Sequence, residues 1–149
     1  MSRWIPRGAG SVLLVNERTQ AVLASQVELA LTRQARRVGL LGRDGLDANA
    51  ALVLAPCMMV HTAFMRFPID VLFVDRDGRA VQLIHELPPW RAAVAPRACA
   101  AIELPGGALR RHGVTLGDPL LLIPPPPKIQ LPTPTKSASL GVGALGFGS

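Results

Sequence analysis

The residues best suited to chemistry in this chain lie in one apolar segment that runs from Cys57 to Asp70. A thiol, an imidazole, a guanidinium and a carboxylate occur there among Met, Val, Phe and Ile side chains, which otherwise predict two adjoining buried strands. A polar group buried without a partner costs roughly 1–3 kcal/mol. Each of these groups therefore needs a neighbouring side chain, a ligand or a partner molecule, and the segment is the candidate site.

A metal site is the first chemistry to consider, because Cys57, His61 and Met65 recur every four residues and all three side chains can bind metals. On a strand, residues four apart share a face but lie about 13 Å from one another. Metal–ligand bonds are only about 2.0–2.3 Å long. Since only neighbouring strands would complete such a site, we predict neither a metal nor another cofactor.

A catalytic pair is the second possibility, formed by His61 with Cys57, with Asp70 or with Glu103. A nucleophile needs its base within about 2.6–3.2 Å, which folding can supply but sequence spacing does not show. The chain has no Gly-x-Ser-x-Gly motif and no Gly-rich phosphate-binding loop. We therefore expect a binding or interaction module, with a small enzyme acting on a carboxylate- or phosphate-bearing small molecule as the alternative.

A structural polar network is the third interpretation, and the one favoured for Asp70. The turn at Pro68 would let Arg66 and Asp70 approach each other, and the Asp70 carboxylate can also accept hydrogen bonds from backbone N–H groups. If the segment instead lines a ligand pocket, Arg66 offers a planar donor fork for a carboxylate or phosphate. The candidate ligand-binding residues are His61, Thr62, Met65, Arg66, Asp70 and Glu103.

Two residues outside the segment bear on the same site. Trp90 follows two prolines and is predicted to plug the core rather than to rim a pocket. Glu103 comes just before Leu104-Pro105 and is predicted to face solvent from a strand, with a pairing to Arg66 as the alternative.

The charge of the chain resembles that of a nucleic-acid-binding protein, with a formal net charge of +6 and a pI of about 11.0. However, every Lys or Arg up to position 127 is an arginine, and the lysines are Lys128 and Lys136. Together with abundant Ala, Gly and Pro, this pattern indicates the codon bias of a GC-rich bacterial genome. We therefore expect an unknown small molecule or protein as the partner, and not a nucleic acid.

The compartment is predicted from the cysteines and the apolar runs. Cys57 and Cys99 allow one pair, which is no disulfide framework. The apolar run Val12–Val15 is shorter than the roughly 7–15 residues of a secretory segment, and later runs fall well below the ~18 needed to span a bilayer. These features predict a basic cytoplasmic protein with reduced thiols and no membrane span.

The elements that would position the site are mostly short strands. Thr32 is a good N-cap for a helix expected to end at Gly42 or Gly45, and a short second helix is expected within 106–113. Asp75-Arg-Asp-Gly78 is typical of a hairpin turn. Extended segments are predicted over 12–15, 21–29, 50–54, 58–67, 69–75, 79–86, 99–104 and 120–123.

Short strands with frequent turns and few helices predict a mainly β fold with a minor helical part. We expect a compact antiparallel β-sandwich or barrel-like domain over 11–123, preceded by a flexible N-terminus at 1–10. The composition changes at Pro124, where four prolines begin a Pro/Thr/Ser- and Gly-rich stretch. Residues 124–149 are predicted to be a disordered tail.

Three pieces of the sequence resemble the family called domain of unknown function 192, or DUF192. They are Val38–Arg43, the long central piece Val60–Asp75, and Ala101–Gly106 followed by Gly117-Asp118. The resemblance implies a compact, sandwich-like β domain and supplies no catalytic residue, because the family has no established molecular function. Gly107 departs from the pattern, since the family usually has Ala there.

Overall fold

The structure is a computed structural model that describes residues 4–8 and 10–134. Strands dominate it, and both helices are short. In chain order the elements are β1 Leu13–Asn16, β2 Ala21–Ala24, β3 Gln26–Ala30, α1 Arg33–Val38, β4 Ala50–Leu54, β5 Met59–His61, β6 Ile69–Val74, β7 Ala80–Leu87, β8 Ala92–Val94, β9 Ala100–Pro105, α2 Ala108–Arg111 and β10 Leu120–Ile123.

These strands form three sheets within the described range. The central sheet has the order β3-β4-β9-β6-β7, a second sheet has the order β10-β1-β2, and β5 pairs with β8 in a two-stranded ribbon. The predicted mainly β class is confirmed. The expectation of an antiparallel sandwich or barrel is too simple, because β3 and β4 run parallel and the sheets do not close into a barrel.

The central sheet is buried on both faces, which explains why β6 and β9 are almost continuously apolar. On one face, here called the α2 side, Leu72 and Ile102 pack with α2 and the three-stranded sheet. On the opposite face, called the ribbon side, Val71 and Phe73 pack with the ribbon and with Leu40 after α1. Successive residues of β6 and β9 therefore point to different layers.

The first helix begins as predicted and ends earlier. The Thr32 side chain accepts a hydrogen bond from the Ala35 N–H at 3.1 Å, which is an ordinary N-cap. The helix stops at Gly39, whose φ of 46° lies in the left-handed region, and the Gly39 N–H donates to the Ala35 carbonyl. The predicted end at Gly42 or Gly45 is wrong, because the left-handed residue already terminates the helix.

Two predicted strands have different bounds in the structure. The segment 21–29 divides at Ser25, so that β2 joins the three-stranded sheet and β3 joins the central sheet. The segment 58–67 is a strand only over Met59–His61, and the residues up to Pro68 form a loop. β8, Ala92–Val94, was not predicted, because it lies in an Ala-rich stretch and alanine carries little strand signal of its own.

The chain ends contact the domain differently. Trp4 is buried against the core, and its ring lies so close to Gly78 that a Cβ there would approach the Trp4 Cγ to 3.1 Å. The expectation of a flexible segment at 1–10 did not include this contact. Residues 124–134 are exposed and form no helix or strand, while the remainder of the predicted tail lies outside the described residues.

The side chain of Asp118, in the predicted turn before the last strand, is hydrogen-bonded to the end of the first strand. The buried Asp118 carboxylate accepts hydrogen bonds from Asn16 Nδ2 at 2.8 Å, from Arg18 Nε at 2.6 Å and from the Thr115 N–H at 2.8 Å. The Arg18 guanidinium and these donors hold the pKa of Asp118 well below its usual range.

Candidate binding surface

The ribbon brings together most of the segment that the sequence singled out. Its register places Met59 opposite Val94, Val60 opposite Ala93, and His61 opposite Ala92. Val60 and Ala93 are buried on the ribbon side of the central sheet. Because side chains alternate along a strand, Met59, His61 and Val94 face outward.

Five large apolar side chains are exposed on this ribbon and its two adjoining loops. We call them the aromatic patch, and with their exposed fractions they are Met58 57%, Met59 57%, Phe64 72%, Trp90 60% and Val94 53%. The Phe64 and Trp90 rings contact each other, with centroids 4.6 Å apart and planes inclined by 60°. Single exposed apolar residues are normal in proteins, whereas a contiguous group is typical of an interaction site.

Thr62 connects the two loops that carry the rings. Its N–H donates to the Arg91 carbonyl at 2.8 Å, and its carbonyl accepts from the Trp90 N–H at 3.0 Å. Its hydroxyl donates to the Pro88 carbonyl at 2.6 Å and accepts from the Arg91 N–H at 2.9 Å. Thr62 is fully buried, and its hydrogen bonds hold the two loops together.

Both rings stand on strained backbone. Phe64 has a φ of 64° and Trp90 a φ of 63°, in the left-handed region that large side chains rarely occupy. Such a conformation costs on the order of 1–3 kcal/mol and persists only where surrounding bonds enforce it. Here the Thr62 carbonyl enforces it, because it accepts from the Trp90 N–H at 3.0 Å and from the Met65 N–H at 3.1 Å, which closes the turn that contains Phe64. Both rings are exposed as a result. The prediction of Trp90 as a core plug is wrong.

Asp70 is a structural residue, as expected, although its partners differ in part from those expected. It lies on the α2 side of the central sheet and is fully buried. Its carboxylate accepts from the backbone N–H groups of Glu86 at 2.7 Å, Gly107 at 3.1 Å and Leu109 at 2.9 Å. The predicted backbone capping is thus present, and it fixes the start of α2 to β6 and β7.

The predicted Arg66–Asp70 pair is absent. Arg66 Nη1 instead lies 2.6 Å from Asp44 Oδ1, with side chains 70% and 84% exposed. The short turn at Pro68 leaves Arg66 at the surface, while Asp70 is inside the sheet on the face away from the ribbon. Exposed pairs of this kind contribute little to stability, typically 0–1 kcal/mol.

Met65 and Glu103 are both buried on the ribbon side of the central sheet. Met65 packs in the apolar cluster there. Glu103 is only 4% exposed, and its Oε2 atom has no hydrogen-bond partner. Burial raises the pKa of Glu103 to about 7, and the positive charge of Arg43 acts in the opposite direction. The prediction that Glu103 faces solvent is therefore wrong.

The predicted pairs of His61 with Asp70 and with Glu103 do not form in this geometry. Val71 is the register partner of Glu103, so the preceding residue Asp70 points to the other face of the sheet. His61 faces outward from the ribbon, whereas Glu103 lies beneath it. His61 is thus separated from Asp70 by the central sheet and from Glu103 by the ribbon itself.

Two grooves open at the edge strand β3. One, of about 380 Å³, is lined partly by Gln26, Glu28 and Arg43, and the other, of about 400 Å³, by Glu28, Arg43 and Leu52. None of the six candidate ligand-binding residues lines either groove. The Glu28–Arg43 ion pair, at 2.7 Å, is shared by both.

Several other features of the site concern cysteine and metal chemistry. Cys57 and Cys99 are both free thiols, and the Cys57 N–H donates to the Cys99 carbonyl at 3.1 Å. Burial raises the pKa of the Cys57 thiol, and the charge of Glu103 raises it further.

Among residues 4–8 and 10–134, no group of three or more His, Cys, Asp or Glu side chains is placed to hold a metal ion. In the same part of the chain, no helix has the length and apolar character required to cross a bilayer.

The fold and this surface together define a small, mainly β domain with an exposed aromatic patch. The chain belongs to the DUF192 family, whose model, described as "Uncharacterized ACR", matches residues 14–122. No curated protein matches the chain.

Two solved structures share the fold. One is a protein of unknown function from Novosphingobium aromaticivorans, 23% identical, with 78% of this chain and 89% of that chain covered and a TM-score of 0.64. The other, from Sinorhizobium meliloti, is described as "a putative transcription regulator". It is 21% identical, with 77% of this chain and 97% of that chain covered and a TM-score of 0.65.

Proposed function

We propose that this domain is a binding module and that the aromatic patch is the surface that contacts its partner. The observation that carries the proposal is the pair of exposed rings, Phe64 and Trp90, held on strained backbone by the hydrogen bonds of Thr62. Exposing two rings and straining two residues both cost free energy. A partner that covers the rings would recover the cost of their exposure.

The packing of the candidate residues supports a surface rather than a pocket. Thr62, Met65 and Asp70 are buried and bonded or packed within the domain, and the grooves lie elsewhere. His61 and Arg66 are the exposed members of the candidate set, and both adjoin the patch. In this proposal they supply the polar contacts around the rings, with Arg66 releasing Asp44 when the partner binds.

A photo-crosslinking experiment tests the proposal. Benzoylphenylalanine placed at position 64 in the full chain keeps an aromatic ring at the patch, and it reacts with proteins, lipids and small molecules alike. We expect discrete adducts in the protein's own host cells, and their loss when Trp90 is also replaced by asparagine. Asparagine is chosen because it tolerates the left-handed backbone.

The matched control carries the same crosslinker at Leu116, which is 66% exposed but lies in the turn near Asp118. Adducts that are equal at positions 64 and 116, or none at position 64, would refute the proposal.

The setting that we propose is the cytoplasm of a bacterium. The free thiols Cys57 and Cys99 are compatible with a reducing compartment. The arginine-rich composition is consistent with a GC-rich bacterial genome.

A further inference from the structure

The aromatic patch has a basic surround, in which Arg66 is paired with the acidic side chain of Asp44. The two segments that form the ribbon and its loops, 57–69 and 88–102, contain Arg66, Arg91 and Arg97 and no Asp or Glu. Arg91 Nη1 donates to the Trp90 backbone carbonyl at 3.2 Å, so this guanidinium lies against the main chain of the residue that carries the ring. Arg97 is exposed in the turn that follows β8, where the Ala98 N–H donates to the Ala95 carbonyl.

The third arginine is available to a partner as well. Arg66 is bonded to Asp44, but both side chains are largely exposed. An exposed pair is stabilised by at most a small free energy and exchanges readily for another anion. The surround therefore presents positive charge on more than one side of the apolar patch.

The patch projects outward instead of lining a recess. Met59 and Val94 face outward from the ribbon, and the rings stand on the loops at its end. The residues that line the two grooves along β3 do not include any member of the patch. A partner for this surface must either carry a matching recess or be deformable.

We propose, on the basis of the proposed function, that the aromatic patch binds the surface of an anionic lipid bilayer. The apolar side chains would enter the boundary between headgroups and acyl chains, while Arg91 and Arg97 contact the anionic headgroups. Trp and Phe are favoured at that boundary, because one part of it is apolar and the other is wet. Basic residues near an anionic leaflet each strengthen binding by about fivefold.

The composition of the patch favours lipid over the other anionic partners. Single-stranded nucleic acid is bound by stacking of bases on rings and by phosphate contacts. Met58, Met59 and Val94 serve neither purpose, whereas aliphatic side chains partition well into acyl chains.

Binding to vesicles of pure phosphatidylglycerol, compared with pure phosphatidylcholine, tests the proposal in the full chain. The chain is expected to co-sediment with the anionic vesicles. Its binding to the neutral vesicles should be at least tenfold weaker. Replacing Phe64 and Trp90 together by asparagine should weaken binding by about 100-fold, since each half-buried ring contributes roughly tenfold. Replacing Arg91 and Arg97 by glutamine should weaken it by about 30-fold at low salt.

Matched controls separate the patch from the general charge of the chain. Arg110 and Arg111 are exposed in α2, across the central sheet from the ribbon, and their replacement by glutamine should leave binding unchanged. Leu116→Asn should likewise have no effect. Equal losses from both arginine pairs would overturn the proposal, because binding would then be nonspecific.

A second readout follows the ring directly. The chain has two tryptophans, Trp4 and Trp90, so that in a Trp4→Phe background the emission reports on Trp90 alone. A shift to shorter wavelength with the anionic vesicles is expected, and an unchanged emission would overturn insertion. Because Trp4 is buried, co-sedimentation of the unaltered chain is the reference if that variant is unstable.

The same assays distinguish failure of the lipid proposal from failure of the proposed function. If polyglutamate or a single-stranded oligothymidine bound through the patch while the vesicles did not, the lipid proposal would be refuted and the binding surface would stand. If none of these probes bound and no crosslink formed at position 64, both would fail.

Discussion

Replacement of Glu103 by glutamine should remove a pH dependence from the stability of this domain. Burial raises the pKa of Glu103 from 4.5 to about 7 in the folded chain. A difference of one in pKa corresponds to about 1.4 kcal/mol, so the difference of 7 minus 4.5 corresponds to about 3 kcal/mol. That is a large share of the 5–15 kcal/mol by which domains are typically stable.

The sign follows from proton binding in the two states. Below the ordinary carboxyl pKa of 4.5, both the folded and the unfolded chain hold the proton. Between pH 4.5 and about 7 the unfolded chain releases this proton while the folded chain keeps it, so the free energy of unfolding falls. Above about 7 both states are ionised and the dependence levels off. Stability is therefore greatest at the acidic end of this window and is lost by slightly alkaline pH.

Urea denaturation at about pH 5 and about pH 8.5 measures the effect. The unaltered chain should lose about 2.5 kcal/mol more than Glu103→Gln between the two values, because part of the full effect is already lost at about pH 5. Comparison of the two proteins cancels the contributions of other titratable groups to the pH dependence of stability. One such group is His112, whose pKa is lowered by burial and whose contribution to that dependence has the opposite sign. Glu17→Gln, at an exposed site, is the matched control and should follow the unaltered chain.

A second variant covers the possibility that a buried amide is itself costly. Glu103→Leu places an apolar side chain beside Leu52 and Val71, its register neighbours. If both variants kept the full pH dependence of the unaltered chain, the reasoning about Glu103 would be refuted.

Further predictions concern the scaffold. Asp70→Ala should cost roughly 3–5 kcal/mol, because three backbone N–H groups lose their acceptor, while Arg66→Ala should change stability by less than about 1 kcal/mol. The two effects should add in the double variant, since the residues do not pair; strong coupling in thermal unfolding would contradict this structure. Truncation after Ile123 should leave the melting temperature nearly unchanged, and a drop of many degrees would show that the tail docks. Protein isolated under alkylating conditions should carry modified Cys57 and Cys99 by mass spectrometry, and recovery of a quantitative disulfide would contradict the expected compartment.

Local sequence signals predicted the elements that depend on local chemistry. The cap at Thr32, the hairpin at Asp75–Gly78 and the strand at 120–123 occur as expected. Their determinants are a side-chain acceptor, a left-handed glycine and an apolar run between turns. Each lies within a few residues of the element that it specifies.

The site depended on contacts that no local pattern contains. Trp90 is exposed because Thr62, 28 positions earlier, binds the loop that carries it. Glu103 is buried because the ribbon and Leu40 cover its side of the sheet. The sequence indicated that Asp70 can accept hydrogen bonds from backbone N–H groups. It did not show that Asp70 bonds to the backbone and not to Arg66, because that depends on the face of the sheet on which Asp70 lies.

The pairing of the first strand with the last also determines when this chain can finish folding. β1 is hydrogen-bonded to β10 along its length, and the buried bond from Asn16 to Asp118 joins residues 102 positions apart. Ribosomes add about 5–20 residues per second, so one edge of β1 remains without its neighbour for about 5–20 s after it is made. During that interval the β1–β2 hairpin presents an open apolar edge, which is the kind of strand that pairs with other chains. Productive folding of this domain is thus a late event in its synthesis.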